Sequence, residues 1–321
     1  MLQFGILTSE QYARATMKRR MAGSGVAFTL LETSDPPTQD EVQRFEEISY
    51  SLRTSNGTTR MTFRNRMPDV NEVALKLIRG SYRPYAELIV QDRAASTCLT
   101  STEWARQLLS AYPKTQFEAS DALLHLLRIS VAGGQTFIVE PGGQPLQYIA
   151  SPFAVCLCPR EPLRYLLNHL VLVRARKMFR SLALPKNLSV SQGNKEYRIG
   201  EISCVHPEAG VLSKNDPRFT IRTRSVFDRS PGVDVVRTMN ILNLAYFPTE
   251  QLIDGIQAAF QSVKPGGLWI VGRTHEEDSK NHVTFFRRTD KGWQVLERIG
   301  NGSEIEMLVT ADGNGQRNDN R

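Results

Sequence analysis

The sequence predicts an α/β protein whose sheet is mostly parallel and ends in an antiparallel hairpin. Beyond residue 60, short apolar segments bounded by turn residues alternate with helical patterns, which is typical of βαβ units. Near the C-terminus, residues 283–288 and 293–299 indicate two strands, and the short turn between them leaves no room for a helix. The 321 residues are 40% hydrophobic and 23% charged, a composition typical of globular proteins.

The other elements each have a local signal. Five strands are predicted before the hairpin, at residues 87–92, 115–121, 218–227, 233–239 and 267–274. The helix after the first strand is expected to begin near Thr100, which stands at capping-box spacing from Glu103. The helix after the fourth strand follows Pro248 and repeats apolar residues at helical period.

The chain is predicted to have three parts. Residues 1–60 form an N-terminal extension with a helix near 39–51, and a turn-rich stretch marks its end. Residues 61–310 form the main domain, in which the second and third strands lie further apart than a crossover requires. We therefore assign an insertion to about residues 128–215. The polar residues 311–321 are expected to be disordered.

The insertion contains a predicted hairpin and a long basic helix at residues 160–182. The basic residues of this helix fall around its whole circumference at 100° per residue, whereas four leucines form an apolar stripe: Leu163, Leu166, Leu167 and Leu170. A helix that covers the core is therefore favoured over one that binds nucleic acid or a membrane surface. No membrane partner is expected.

Composition excludes several classes of protein. The net charge of +7 helps an anionic partner to approach without identifying one. Four scattered cysteines, Cys98, Cys156, Cys158 and Cys204, suit neither a disulfide framework nor a zinc site, so we predict reduced thiols in a cytoplasmic protein. No segment has the roughly 20 apolar residues of a membrane-spanning helix. The histidines lack metal-site spacing, and no metal is expected.

Two acidic residues at strand ends are the main functional signal. An open parallel sheet binds ligands beyond the carboxyl ends of its strands, where the strand order reverses. Asp92 ends the first strand and precedes small residues and a helix N-terminus, which suits a nucleoside or carboxylate ligand. Asp121 ends the second strand, where a carboxylate can accept hydrogen bonds from both ribose hydroxyls. Each alone could be a helix cap or a solvated carboxylate, but their spacing favours a site.

A dinucleotide site is the weaker interpretation of the same spacing. It requires G-x-G-x-x-G directly after the first strand, yet no glycine occurs between Gly80 and Gly133. The phosphate-binding pattern G-x-x-x-x-G-K-[ST] is also absent. Neither NAD binding nor nucleoside triphosphate hydrolysis is supported.

These residues resemble the class I S-adenosylmethionine-dependent methyltransferases. The resemblance covers about residues 84–308 and rests on Asp92 with its turn, on Asp121, on the segment 225–228 after the third strand and on the turn 265–267. Residues 234–242 are also similar to the fourth-strand segment of chemotaxis-receptor-type methyltransferases. The resemblance implies a Rossmann-like, doubly wound sheet and S-adenosylmethionine as the cofactor.

The resemblance also implies which residues surround the cofactor. Asp121 would bind the ribose hydroxyls, the backbone from Asp92 to Cys98 the methionine part, Val226 and Phe227 the adenine, and the loop at 238–240 would lie near the reactive methyl group. The implied cofactor-binding residues are Asp92, Ala94, Ser96, Asp121, Val226, Phe227, Thr238 and Asn240.

The sequence departs from the family in the turn after the first strand. The family usually has glycines at alternate positions of this turn, and here those positions hold Ala94, Ser96 and Cys98. Their β-carbons predict either a ligand pushed outward or a differently shaped turn. An inactive binding or scaffold protein with the same fold is therefore the alternative function.

The methyl acceptor is not identified by the sequence. Loops after the fourth and fifth strands offer residues that could orient or deprotonate an acceptor: Asn243, Tyr246, His275 and Glu276. The N-P-P-[YF] segment of many methyltransferases that act on bases and glutamine is absent. Because the long insertion could close over the acceptor, a small molecule is favoured over protein or nucleic acid.

Overall fold

The computed structural model describes residues 4–20, 25–158, 166–185, 188–190, 196–275 and 277–312. The chain divides into two compact units. Unit 1 comprises Met1–Phe63 and Leu123–Pro207, and unit 2 comprises Arg64–Ala122 and Glu208–Arg321. This division differs from the sequence-based one, because the N-terminal residues group with the insertion.

The bounds of the elements are as follows. Within the described residues, the helices are α1 (Ser9–Arg14), α2 (Met17–Arg20), α3 (Gln39–Ser51), α4 (Pro68–Ser81), α5 (Leu99–Ala111), α6 (Leu166–Ser181), α7 (Pro207–Asn215), α8 (Thr249–Ser262) and α9 (Glu306–Asp312). The strands are β1 (Ile89–Arg93), β2 (Gln116–Asp121), β3 (His125–Val131), β4 (Gln135–Val139), β5 (Pro145–Ala150), β6 (Phe153–Cys156), β7 (Tyr197–Ser203), β8 (Phe219–Thr223), β9 (Val233–Met239), β10 (Val263–Thr274), β11 (Asn281–Thr289) and β12 (Gly292–Ile299).

Unit 2 is built on a seven-stranded sheet in the order β12-β11-β10-β9-β1-β2-β8. Neighbours from β8 to β10 pair in parallel, whereas β11 and β12 are antiparallel. The chain runs outward from β1 to β8 and returns to β9 on the other side of β1, so the strand order reverses between β1 and β9. The predicted Rossmann-like α/β fold with a terminal hairpin is therefore confirmed.

The apolar residues of the sequence account for the packing of this sheet. Trp104 of α5 meets Phe117 of β2 edge to face at 5.2 Å, and Phe117 stacks on Phe219 of β8. On α8, Leu252 and Ile256 stand one turn apart and are buried in a cluster with Trp269. The helical period read in the sequence thus matches the buried stripes.

Two strand boundaries differ from the prediction by four residues, whereas the others agree to within two. The third strand of the parallel set, β8, ends at Thr223 rather than at residue 227, because residues 225–228 form a turn. The fifth, β10, starts at Val263, and its register against β9 shifts between Val263 and Leu268. A β-carbon at Gly267 would lie 2.7 Å from the Asp234 carbonyl oxygen, so this position requires glycine.

Unit 1 contains a five-stranded sheet in the order β6-β5-β4-β3-β7, whose strands pair antiparallel. Its strands are apolar on both faces. Ile138 belongs to a core cluster with the N-terminal Phe28 and Phe45, whereas its neighbour Phe137 belongs to a second cluster with Leu172 of α6. The N-terminal residues are thus needed to cover one face of the insertion's sheet.

The long helix of the insertion differs from its predicted form. The predicted span 160–182 is observed as Leu166–Ser181, and Leu163 lies outside the described residues. Leu170, expected in the buried stripe, is 67% exposed, and the buried side instead carries Leu172 and Ala175. The apolar stripe predicted from the leucines is therefore wrong at Leu170.

The structure tests the predicted C-terminal tail only in part. The predicted tail begins at residue 311, but α9 continues to Asp312, and residues 313–321 lie outside the described part of the chain. Among the described helices, none is both long and apolar enough to cross a bilayer.

Candidate functional site

The candidate site lies at the carboxyl edge of the unit 2 sheet, where β1 and β9 flank the reversal of strand order. β1 ends at Arg93 and continues through residues 94–98 into α5. β2 ends at Asp121, β9 at Met239 and β10 at Thr274. In doubly wound sheets, ligands bind in the crevice at such a point.

The turn between β1 and α5 has an unusual backbone. Ala94, Ser96 and Cys98 have φ values of 57°, 54° and 64°, the left-handed region that glycine adopts readily. A left-handed L-residue costs about 1–2 kcal/mol. The three positions where the family usually has glycine therefore combine a glycine-like backbone with β-carbons.

Asp121 contacts this turn directly. The Ser96 N–H donates to Asp121 Oδ2 at 2.8 Å, and the Ala95 N–H donates to the Ser120 carbonyl at 2.9 Å. The acid at the end of β2 thus lies beside the turn after β1, as the spacing predicts. Its ribose-binding role stays a prediction.

The first turn of α5 adds polar groups to the site. Cys98 is the N-cap and its side chain caps no N–H group, so the helix N-terminus presents backbone donors that the helix itself cannot satisfy. Thr97 is 1% exposed, and its hydroxyl has no hydrogen-bond partner among the described residues. The predicted capping box is wrong, because α5 begins at Leu99 and Glu103 instead accepts the Asn65 N–H.

Asp92 is engaged within the protein. Arg237 Nε donates to Asp92 Oδ1 at 2.9 Å, and Arg237 Nη2 and Ser101 Oγ both donate to Oδ2. Arg237 is 1% exposed; its Nη1 donates to Asn71, and its guanidinium lies 4.3 Å from the Trp104 ring centroid. The Asp92–Arg237 pair therefore joins β1 to β9, α4 and α5. Arg237, the one basic residue in an apolar strand, was the overlooked signal in the sequence.

Thr238 and Asn240 fix the end of β9. Thr238 is 1% exposed, and its hydroxyl accepts the Trp269 Nε1–H at 2.9 Å. Asn240 has φ 61°, and its Oδ1 accepts the Thr274 N–H at 2.7 Å. Both predicted site residues lie at the edge, but their polar atoms bind the neighbouring strand.

Val226 and Phe227 pack toward α8. Val226 is 8% exposed in the cluster with Leu252, and Phe227 meets Phe247 edge to face at 5.2 Å. The connection between β8 and β9 has nine residues and no helix in the structure, so its apolar side chains fill the space under α8. The structure places these two predicted adenine contacts against the core.

Arg93 is a buried charge that sequence reasoning missed. It is 3% exposed; its Nε and Nη2 donate to Gln91 Oε1, and its Nη1 donates to the Asp228 carbonyl at 2.9 Å. Burial lowers the pKa of the Arg93 guanidinium to about 10, against the opposing effect of Glu118. Arg93 thus ties the end of β1 to the turn that follows β8.

The residues predicted to orient or deprotonate the methyl acceptor lie on two different loops. Asn243 Oδ1 accepts the N–H groups of Ala245 and Tyr246, so it shapes the turn after β9, and the Tyr246 side chain is 43% exposed. After β10, the His275 ring contacts the His282 ring in a tilted arrangement, with ring centroids 4.2 Å apart. Glu276 lies outside the described residues.

A short segment of unit 2 spans the same edge. The Asn65 N–H donates to Glu103 in the first turns of α5, whereas Arg66 Nε donates to Thr274 Oγ1 at the end of β10. Asn281 Nδ2 donates to the Arg66 carbonyl at 3.0 Å. Since β9 lies between β1 and β10, residues 64–67 pass the carboxyl end of β9. Within the described residues, no group of His, Cys, Asp and Glu could hold a metal ion.

Comparisons with known proteins give similarity to methyltransferase structures. No family model matches the sequence, and no curated protein matches it. The structure is similar to a CurJ carbon methyltransferase (11% identity, 66% of this chain, 35% of that chain, TM-score 0.30). It is similar to phosphoethanolamine N-methyltransferase 2 of Haemonchus contortus (11% identity, 64% of this chain, 28% of that chain, TM-score 0.30). It is also similar to a protein-L-isoaspartate O-methyltransferase (9% identity, 74% of this chain, 46% of that chain, TM-score 0.30).

The chain spans less than half the length of each of these three proteins. Identities are below 14% and the TM-scores are 0.30. The fold assignment therefore rests on the strand order and pairing of unit 2.

Proposed function

We propose that the carboxyl edge of the unit 2 sheet binds S-adenosylmethionine and that the protein transfers its methyl group to a small molecule. The observation that carries the proposal is the left-handed backbone of Ala94, Ser96 and Cys98, next to Asp121 and at the reversal of strand order. Strained residues that cluster at such a place are typical of ligand sites.

The residues at this edge suit the parts of the cofactor. The backbone donors at the start of α5 and the positive end of its dipole favour a carboxylate such as that of the methionine part. The buried Thr97 hydroxyl can hydrogen-bond the same group. Asp121, which is half-buried, would accept the ribose hydroxyls. Asp92 acts through Arg237 to hold β1 in place and is a positioning residue in this proposal.

The cofactor supplies an activated methyl group on a sulfonium. The protein then has to hold acceptor and methyl carbon in line, and such positioning contributes much of the rate of a bimolecular reaction. Tyr246 and His275 lie on the loops after β9 and β10 and would orient the acceptor. The segment 64–67 at the same edge favours a small acceptor over a folded protein.

The alternative is a scaffold that transfers no methyl group. It is favoured by the engagement of Asp92 with Arg237 and by the packing of Val226 and Phe227 against the core. In that case the left-handed turn serves only to connect β1 to α5.

Titration calorimetry with S-adenosylmethionine and S-adenosylhomocysteine separates the two functions. We expect both to bind, and Asp121→Asn to weaken binding by about tenfold or more, because hydrogen bonds to a charged group contribute about 1.5–3 kcal/mol. Asp290→Asn, in the exposed β11–β12 turn, is the matched control and should bind like the wild type. No heat from a folded wild-type sample would favour the scaffold.

Transfer itself is tested with the tritiated methyl donor and pools of small amines, alcohols, thiols and carboxylates. Acceptor-dependent release of S-adenosylhomocysteine supports the enzyme. Cofactor binding without transfer to any of these classes, or to added proteins and nucleic acids, would restrict the proposal to the binding step.

A further inference from the structure

Helix α6 of unit 1 exposes a face that combines apolar and basic side chains. We call Leu170, Val173, Arg174, Lys177 and Arg180 the α6 face; at 100° per residue they lie within about 120° of one another. Leu170 is 67% and Val173 53% exposed, and the three basic residues are exposed. The opposite side of the helix is buried in the core.

The net positive charge of the sequence is concentrated in the segment that contains this helix. Residues 123–207 contain ten Lys and Arg against four Asp and Glu, whereas the rest of the chain contains thirty against 29. No acidic residue occurs from residue 162 to residue 195. Among the described residues, Arg174, Lys177 and Arg180 form no ion pair. The α6 face therefore carries uncompensated charge, which favours an anionic partner.

We propose that the α6 face binds the surface of an anionic lipid bilayer. A helix that lies in a membrane interface places apolar side chains at the acyl boundary and Lys or Arg beside the headgroups. Leu170 and Val173 would enter the interface, and the three cations would contact the lipid phosphates. The proposal is independent of the function proposed for unit 2, and it reverses the expectation from the sequence that no membrane takes part.

Other occupants explain fewer of these observations. A nucleic acid would use the cations, but it gains little from Leu170 and Val173, and no aromatic side chain stands on the face for base stacking. A second copy of the chain would bring like charges together. An acidic peptide helix needs a groove for its apolar side, whereas α6 presents the convex outer side of a single helix.

Vesicle flotation with the full-length protein tests the proposal. We expect binding to vesicles that contain phosphatidylglycerol and none to phosphatidylcholine alone. The triple variant Arg174→Gln, Lys177→Gln, Arg180→Gln should lower the partition coefficient about 100-fold, since each cation near an anionic surface contributes about a factor of five. Leu170→Ser with Val173→Ser should lower it about tenfold, because apolar burial at the interface is lost.

The matched control removes the same charge elsewhere. Lys18, Arg198 and Lys291 are exposed and lie outside α6, so their triple replacement by Gln should change partition far less. Thermal melting of each variant confirms that it is folded. An equal effect of the control, or no binding to phosphatidylglycerol vesicles, would overturn the proposal.

Two further probes separate lipid from other polyanions. A labelled single-stranded oligonucleotide and poly-glutamate are titrated under the same conditions. If either binds more tightly than the vesicles and Leu170→Ser with Val173→Ser has no effect on that binding, the partner is a polyanion and the lipid proposal is wrong. Loss of vesicle binding in both the apolar and the charge variant supports it.

Discussion

Ala94 and Ser96 hold a backbone that their side chains disfavour. Both adopt φ values near 55° in the turn after β1, where the β-carbon crowds the backbone. Folding has to overcome this strain through the hydrogen bonds of the turn to Ser120 and Asp121. Selection for stability alone would favour glycine at these positions, which is why the strain is informative about a ligand.

The strain predicts a gain in stability from glycine. Ala94→Gly with Ser96→Gly should raise the free energy of unfolding by about 1 kcal/mol, since relief of the left-handed strain exceeds the extra entropy of glycine in the unfolded chain. Urea denaturation measures this change. Ala95→Gly is the control: Ala95 is not left-handed, so that variant should lose stability. A lower free energy of unfolding in the double variant would show that the left-handed backbone is not strained at these positions.

The buried pair of Asp92 and Arg237 predicts a large loss when it is broken. Asp92→Ala should lower the free energy of unfolding by about 3–5 kcal/mol, because it leaves the Arg237 guanidinium buried without its counter-charge. Lys114→Ala is the matched control. It breaks the solvent-exposed pair with Glu87, and such pairs contribute about 0–1 kcal/mol. Similar losses in the two variants would mean that the buried pair contributes no more to the free energy of unfolding than an exposed pair.

The N-terminal cap of helix α3 makes the stability of the protein depend on pH. Thr38 and Glu41 form a capping box at its N-terminus. Hydrogen bonds from the Ser34 hydroxyl and then from the Thr38 N–H lower the pKa of the Glu41 carboxyl to about 2. Because the folded pKa lies below that of the unfolded chain, the stabilisation is present above about pH 4.5 and is lost as the pH falls toward 2.

Glu41→Gln removes the titrating group while it keeps the acceptor oxygen. The melting temperature of the wild type should therefore fall more steeply than that of Glu41→Gln between pH 5 and pH 2.5. Differential scanning fluorimetry across this range measures both slopes. Glu10→Gln, an exposed acid paired with Arg14 at i,i+4, is the control. Parallel slopes for the wild type and Glu41→Gln would rule out the contribution of the cap.

At the scale of the whole molecule, the features that the sequence predicted correctly are those that depend on local pattern. The parallel strands, the terminal hairpin and the proximity of Asp121 to the turn after β1 follow from periodicity and topology. The hydrogen bonds between Asp92 and Arg237 could not be predicted in this way, since Arg237 lies 145 residues further along the chain. The packing of the N-terminal core residues, such as Phe28 and Phe45, with the insertion was missed for the same reason. Sequence pattern shows that a face is apolar without showing what covers it.

The grouping of distant segments in unit 1 can be tested with one buried side chain. Phe45 of α3 is 1% exposed in the cluster that also contains Leu126 of β3 and Ile138 of β4. Phe45→Ala should remove about 3–5 kcal/mol of stability. If the cluster makes the N-terminal residues and the insertion one cooperative unit, amide hydrogen exchange should accelerate in β3 and β4 as well as in α3.

Phe117→Ala is the matched control, since Phe117 is equally buried but belongs to β2 in unit 2. It should accelerate exchange in β1 and β8, which flank β2, and in α5, whose Trp104 packs on Phe117. Mass spectrometry of peptides from both variants gives the two patterns. Acceleration confined to residues 4–63 in Phe45→Ala would show that the N-terminal residues fold as a separate extension, and the insertion's sheet would then be stable without their cover.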